Sequence, residues 1–142
     1  MQPALFDTSV YISALRGEHG AVLAFRRSAN DAPLWLSAVV LEELYAGAAG
    51  PERQVVQRLE RDFDRAKRIL VPNLSDWTQA GTVLAGLRSK YHFEKTGQAR
   101  LTNDALIAMS AGRLGIRVIT RNERDFRRLA EFRAFYWQTT SG

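Results

Sequence analysis

The sequence predicts an α/β domain in which helices cover both faces of a short-stranded parallel sheet. Short apolar runs, typical of buried strands, alternate along the chain with longer amphipathic stretches of helical period. This alternation is typical of a doubly wound sheet whose strands are buried on both faces. No linker, repeat or low-complexity tract divides the 142 residues, so we expect a single domain over residues 1–142.

Five strands are predicted from the apolar runs. They are Ala4–Phe6, Leu34–Leu36, Ile69–Val71, Val118–Thr120 and Ala134–Trp137. Pro72 follows the third run directly and ends it, because proline cannot donate a ladder hydrogen bond.

Helical periodicity and capping residues predict seven helices. They run from Thr8 or Ser9 to Gly17, and over Ala21–Ala29, Ala38–Gly47, Glu52–Arg68, Ser75–Tyr91, Asn103–Leu114 and Glu123–Ala130. Thr8 or Ser9 is the expected cap of the first helix, Ser37 of the third and Thr102 of the sixth. The polar segment 93–100, which contains a glycine, is predicted to be a loop.

Composition narrows the classes of function. The chain carries 20 Lys and Arg against 15 Asp and Glu, a net charge of +5. This excess is explained equally well by a polyanionic partner and by arginines on solvent-facing helices. It has no cysteine and two widely separated histidines, so neither a thiol, a histidine-rich metal site nor a Ser-His-Asp triad is supported. Without a leader or an apolar run of membrane length, we expect a cytoplasmic protein with no membrane partner.

Acidic residues fall where an open α/β sheet places its chemistry, beyond the carboxyl ends of the strands. Asp7 follows the first strand, Asp104 lies in the predicted first turn of its helix, and Asp125 follows the Val118–Thr120 strand. Each acid taken alone is better explained as a helix-terminal acid or a surface charge than as a member of a site. In the helix after Ser37, periodicity leaves open whether the acid at position 42 or 43 faces inward.

Together these acids predict a metal site. Clustered carboxylates raise one another's pKa unless a cation neutralises them. Oxygen ligands favour Mg²⁺ or Mn²⁺, ions that suit the hydrolysis of phosphodiester bonds.

Four segments in this order resemble the PIN-domain family, and within it the short VapC-like toxins. They are Leu5-Phe6-Asp7-Thr8-Ser9-Val10, the stretch from Leu36 to Gly47, Asn103-Asp104-Ala105-Leu106-Ile107-Ala108, and the stretch from Val118 to Phe126. The resemblance covers nearly the whole chain and implies a three-layer α/β/α PIN-like domain.

The resemblance also implies roles for individual residues. Asp7, Glu43 and Asp104 correspond to the acids that bind Mg²⁺ or Mn²⁺, and the Glu-Leu-x-x-Gly pattern selects Glu43 as the inward acid. Asn122 stands where some members have an acid, so Asp125 becomes the fourth candidate.

The implied activity is that of a metal-dependent endoribonuclease, the toxin of a toxin-antitoxin pair. Its implied partners are RNA, a small cognate antitoxin and a second copy in a homodimer. A non-catalytic RNA-binding or scaffold domain with a decayed PIN fold is the alternative.

Several further residues are candidates for supporting roles. Thr8, Ser9 and Asn122 are candidates for contacts to metal ligands or phosphate, and Arg121 and Arg124 for RNA phosphates. Three tryptophans, Trp35, Trp77 and Trp137, are expected to pack in the core rather than stack on bases.

Two other enzyme classes fit less well. A haloacid-dehalogenase-like phosphatase needs a second acid where this chain has Ser9. A receiver domain needs a phosphoacceptor Asp after a middle strand and a late lysine at a strand end, and neither is evident.

Overall fold

Five short parallel strands form the centre of the protein. The structure is a computed structural model that describes residues 2–18, 33–92 and 95–140, without the side chains of 95–99. The strands are β1 (Ala4–Phe6), β2 (Leu34–Ser37), β3 (Ile69–Leu70), β4 (Arg117–Thr120) and β5 (Trp137–Thr139). They lie in the order β3-β2-β1-β4-β5, and every neighbouring pair is parallel.

The strand order reverses direction at β1. The chain moves outward from β1 through β2 to β3, then returns to the other side of β1 as β4. In the register of this pair, Phe6 lies opposite Ile119, and the N–H of Asp7 donates to the carbonyl of Ile119 at 3.0 Å. Ligands of open α/β sheets bind in the crevice outside the strand ends at such a reversal. A ligand site is therefore expected at the carboxyl ends of β1 and β4.

Helices flank the sheet, and the predicted α/β class is confirmed. They are α1 (Thr8–Leu15), α2 (Ala38–Gly47), α3 (Pro51–Arg65), α4 (Leu74–Tyr91), α5 (Lys95–Arg113) and α6 (Glu123–Ala130). None of the helices in the described ranges is both long and apolar enough to span a bilayer. The predicted helix over 21–29 lies outside the described residues.

The core lies on both sides of β1. Leu5, Phe6 and Val118 have no exposed surface, as expected for strands buried on both faces. The ring of Phe6 meets Tyr11 of α1 edge to face, with centroids 6.0 Å apart. Asp7 therefore follows a strand that is buried on both faces.

The prediction of a loop over 93–100 is wrong from residue 95 onward. Helix α5 begins at Lys95, eight positions before the predicted start at Asn103, so Thr102 lies inside the helix and does not cap it. Residues 93 and 94 lie outside the described residues. The segment contains good helix formers such as Ala99 and Arg100, and packing of α5 along α4 outweighs the cost of about 1 kcal/mol for Gly97.

The last strand is also displaced from its predicted position. β5 covers Trp137–Thr139 rather than Ala134–Trp137, because pairing with β4 places Trp137 opposite Val118 and Thr139 opposite Thr120. The side chain of Tyr136 is 59% exposed. Hydrogen bonding to β4, which apolar patterning does not report, decides where the strand begins.

Several helix ends differ from expectation by one to three residues, and one tryptophan differs in its burial. α4 begins at Leu74, because Asn73 caps it in a reciprocal pair with Asp76, and α3 ends at Arg65. Trp77 is 55% exposed, so the expectation that it packs in the core is wrong, whereas Trp35 and Trp137 pack against the core.

Candidate active site

Asp7 caps α1, in place of the predicted Thr8 or Ser9. It leaves β1 with an extended backbone (φ −77°, ψ 175°), and Oδ1 accepts a hydrogen bond from the N–H of Val10 at 3.4 Å. Thr8 is already helical, so the cap must be the residue before it. The hydroxyls of Thr8 and Ser9 are thereby free to bind carboxylates.

The Asp7 carboxylate is buried among hydroxyl donors. The Ser9 hydroxyl donates to Oδ1 and the Thr120 hydroxyl to Oδ2, both at 2.6 Å, and Asp7 is only 2% exposed. Burial raises the pKa of Asp7, and the nearby charge of Glu43 adds to the rise, while the three hydrogen bonds oppose it. The protein therefore holds a carboxylate where the charged form is disfavoured.

Glu43 is the acid of α2 that turns toward Asp7. Ser37 caps α2 as predicted, accepting from the N–H of Val39 at 3.1 Å. Oε1 of Glu43 accepts from the Thr8 hydroxyl at 2.6 Å, and Glu43 is half-buried whereas Glu42 is exposed. The tertiary contact with α1 thus separates two acids that helical periodicity could not.

Asp104 lies in the middle of α5, not in a first turn. It is 7% exposed, and the predicted alternative of an acid that complements a helix N-terminus therefore does not apply. Burial is the largest cause that raises the pKa of Asp104, the charges of Asp7, Glu43 and Asp125 add to the rise, and Arg100 opposes it, so that the pKa is about 8. Because the charges of three other acids act on Asp104, we treat the four residues as one group and call it the acid cluster (Asp7, Glu43, Asp104 and Asp125).

Asn122 connects two members of the acid cluster. Its amide nitrogen Nδ2 donates to Oδ2 of Asp125 at 2.8 Å and lies 3.5 Å from Oδ2 of Asp104. Its backbone N–H donates to the Thr120 hydroxyl at 2.8 Å. Asp125, in the first turn of α6, is thus positioned from the end of β4 by Asn122.

The two arginines predicted to contact phosphate are both exposed and both engaged. Arg121 pairs with Glu18 and also donates to the Ser13 hydroxyl. Nε of Arg124 lies 3.7 Å from Oδ1 of Asp125. Arg121 would have to leave Glu18 before it could bind an RNA phosphate.

Two residues of the site, Thr120 and Arg100, were not among the predicted ones. Thr120 is fully buried and bonds Asp7, and its place at the end of the strand beside β1 was the available signal. Arg100 acts on Asp104 from four positions earlier on α5, but it fell within the predicted loop, where no helical face could be assigned.

The donor chemistry of the acid cluster fits a hard divalent cation. It offers only oxygen ligands, and a cation would relieve the repulsion that raises the pKa of Asp104. As the side chains of the described ranges stand, no group of three or more acids or histidines is set to hold an ion. The carboxylates of Asp7, Glu43 and Asp125 already accept hydrogen bonds from hydroxyl or amide donors. Each carboxylate has further lone pairs with which it could bind a cation.

Solved structures share this fold. One is the DNA-bound VapBC from Salmonella typhimurium, at 20% identity and a TM-score of 0.69, with 99% of each chain covered. Another is VapBC-1 from nontypeable Haemophilus influenzae, at 22% identity and a TM-score of 0.70, covering 99% of this chain and 100% of the other. FitAB bound to an IR36 DNA fragment matches at 24% identity and a TM-score of 0.63, covering 98% and 96%.

Sequence comparison gives the family. No curated protein matches this chain significantly in sequence. The sequence model of the PIN-domain family, however, matches residues 4–132, a span that contains all four members of the acid cluster. The chain therefore belongs to the PIN-domain family.

Proposed function

We propose that this chain is a Mg²⁺- or Mn²⁺-dependent endoribonuclease that hydrolyses RNA phosphodiester bonds, with residues 1–142 forming one PIN-like domain. The observation that carries the proposal is Asp104, a buried acid in mid-helix whose pKa is raised to about 8 with three other acids contributing. Such an arrangement destabilises the metal-free fold, and perturbed acids of this kind cluster at functional sites. PIN domains are generally nucleases, which agrees with this chemistry.

The acid cluster is the proposed metal site. Asp7, Glu43, Asp104 and Asp125 would hold the ion, which when bound lowers the pKa of water and stabilises the leaving oxygen. Thr8, Ser9 and Thr120 fix the orientation of the carboxylates by hydrogen bonds, as outer partners of metal ligands do. Asn122 holds Asp125 at the edge of the site.

The proposed substrate is RNA, and the proposed setting is the cytoplasm. Arg121 and Arg124 flank the acid cluster and would contact phosphates. The fold is shared with the VapBC and FitAB structures, and this supports a role as the toxin of a toxin-antitoxin pair. A small antitoxin would silence the enzyme, and we propose that the enzyme itself is a homodimer.

A cleavage assay on total RNA tests the activity. We expect cleavage with Mg²⁺ or Mn²⁺, none in EDTA, and none with Asp104→Asn. Glu43→Gln and Glu42→Gln form a matched pair on α2, and only the half-buried Glu43 should matter. Undiminished cleavage in EDTA, or equal activity of Asp104→Asn and wild type, would exclude the metal mechanism. RNA binding without any cleavage would favour the decayed scaffold instead.

The assembly has a test of its own. Light scattering should give a dimer, and co-expression with a small protein encoded beside this gene should suppress toxicity. A monomer at every accessible concentration would exclude the homodimer, and toxicity that no neighbouring small protein suppresses would exclude the antitoxin pair.

A further inference from the structure

Two of the grooves beside the acid cluster share one arginine in their linings. The α1 groove, about 430 Å³, is lined by Ser9, Arg16, Arg121 and Asn122 among others. The α4 groove, about 170 Å³, lies between α4 and α6 and includes Tyr91, Asp125 and Arg128 in its lining. Arg100 belongs to the lining of both.

The charge of Arg100 acts on the acid cluster, although Arg100 forms no ion pair with any of its four acids. It precedes Asp104 by four residues on α5, so the two side chains share one helix face, and its charge acts on Asp104. Arg100 is exposed, and in the described part of the chain it forms no ion pair within 4 Å. Arg16, in the α1 groove, shares both properties.

The other arginines of the two grooves are already engaged. Arg121 pairs with Glu18, and Arg124 lies near Asp125. The Arg128 guanidinium stacks 4.1 Å from the centre of the Tyr91 ring. Among the residues that the structure describes, a phosphate arriving beside the acid cluster would therefore meet Arg100 without displacing an ion-pair partner.

We propose that Arg100 binds a phosphate of the RNA backbone next to the scissile one, where the α1 groove and the α4 groove meet. The backbone then crosses the acid cluster from one groove to the other, with Arg16 as a further contact in the α1 groove. The α1 groove has a volume within the range of sites for small organic ligands, and the α4 groove is smaller. This inference rests on the proposed ribonuclease function and adds the residue that positions the substrate.

The arginine fork fits the proposed role. A guanidinium presents planar donors that match phosphate oxygens, and it offsets the repulsion between the acid cluster and an approaching phosphate. Because the contact is to phosphate and not to the sugar or base, it should be independent of base sequence and of the 2′-hydroxyl.

Binding in EDTA tests the inference without cleavage. The probe is a short fluorescent oligouridylate, and its affinity is measured by anisotropy over a series of salt concentrations. We expect Arg100→Gln to weaken binding roughly tenfold at low salt and to reduce the slope of log affinity against log salt by about 0.7, the value for one lost phosphate contact on a single strand. Arg100→Lys, which keeps the charge, should restore most of the slope.

Arg61→Gln is the matched control. Arg61 is an exposed arginine of α3 outside both grooves, and its loss lowers the net charge equally. A slope unchanged in Arg100→Gln, a slope lowered equally by Arg61→Gln, or no binding of the oligouridylate by wild type would overturn the proposal. The affinity for an oligothymidylate should fall by the same factor in Arg100→Gln. A fall in affinity that is confined to RNA would overturn the phosphate contact.

Cleavage with Mg²⁺ separates this inference from the proposed function. Arg100→Gln should raise KM more than it lowers kcat. If metal-dependent cleavage is present but the salt slope does not depend on Arg100, only the positioning role fails. If the slope depends on Arg100 but no RNA is cleaved, the ribonuclease proposal fails and the phosphate contact stands.

Discussion

The hydroxyl of Thr120 donates to Oδ2 of Asp7 at 2.6 Å and joins the ends of β4 and β1 through one buried contact. The same hydroxyl oxygen accepts from the N–H of Asn122 at 2.8 Å. Asn122 in turn reaches Asp125, so a single threonine orients the acid after β1 and the segment that carries the acid of α6. Changes at Thr120 should therefore affect both stability and metal binding.

Thr120→Val keeps the shape of the side chain but removes both hydrogen bonds. We expect a loss of roughly 1–3 kcal/mol in the free energy of unfolding, because Oδ2 of Asp7 and the N–H of Asn122 lose their partner in a buried setting. Urea denaturation measures the loss, and calorimetry should show weaker Mn²⁺ binding. Thr120→Ser retains the hydroxyl and should lose much less of the Mn²⁺ affinity. Equal Mn²⁺ affinity in wild type and Thr120→Val would contradict the orienting role.

Asp104 should make the metal-free protein less stable as the pH rises. Its pKa is about 8 in the folded protein, well above the ordinary 3.8, so folding favours the protonated acid. The free energy of unfolding is then unaffected below about pH 4, falls by at most about 1.4 kcal/mol per unit toward pH 8, and levels off above. Asp104→Asn should remove the part of the fall in the free energy of unfolding that comes from the ionisation of Asp104.

Urea unfolding in EDTA at a series of pH values measures the effect as the difference between Asp104→Asn and wild type. The difference should favour the mutant increasingly from pH 4 to pH 8. Millimolar Mg²⁺ should reverse it, because an ion bound only by the native state stabilises wild type. Parallel curves for the two proteins would show that Asp104 does not titrate with a raised pKa.

Asn122→Asp adds a carboxylate beside Asp125 and Asp104. We expect the metal-free protein to lose on the order of 1 kcal/mol or more, because an amide donor is replaced by a like charge. Mg²⁺ should recover the loss, since the added acid is a further ligand. Asn122→Ala removes the donor without adding charge, so thermal melts of that variant should respond less to Mg²⁺. Identical responses of the two variants would argue against a metal beside position 122.

Arg113, which is exposed, and Asp76, which is buried, form an ion pair that serves structure rather than the site. Nε of Arg113 lies 3.1 Å from both carboxylate oxygens of Asp76, which is 1% exposed. Arg113→Met removes the cation beside the buried Asp76 carboxylate, which keeps its hydrogen bond from the N–H of Asn73, and should cost roughly 1–3 kcal/mol in the free energy of unfolding. Adding Asp76→Asn should recover part of this in a double-mutant cycle. Urea denaturation should give the same loss in the free energy of unfolding for Arg113→Met with and without Mg²⁺. If Mg²⁺ abolished that loss, the structural assignment of the pair would be contradicted.

Local signals in the sequence predicted much of the fold. The apolar runs that became β1, β2 and β4 lie where they were predicted to within a residue, and Ser37 caps α2 as expected. These features depend on neighbours in the chain, since burial on both faces selects continuous apolar runs and a cap needs only the next two residues. Asp7 and Asp125 were found in the same way, from their positions after strands.

Tertiary structure decided the features that depend on residues far apart in the chain. The contact of Thr8 with Glu43 spans 35 positions and the contact of Thr120 with Asp7 spans 113, so no local pattern reports them. Packing of α5 against α4 extended the helix back to Lys95, which turned Asp104 from an apparent helix-terminal acid into a buried one. The sequence by itself determined which acids follow the strands. Only the fold determined that Asp7 and Asp104 are buried and that the charges of the other acids act on Asp104, because desolvation and charge repulsion depend on distances that chain order does not contain.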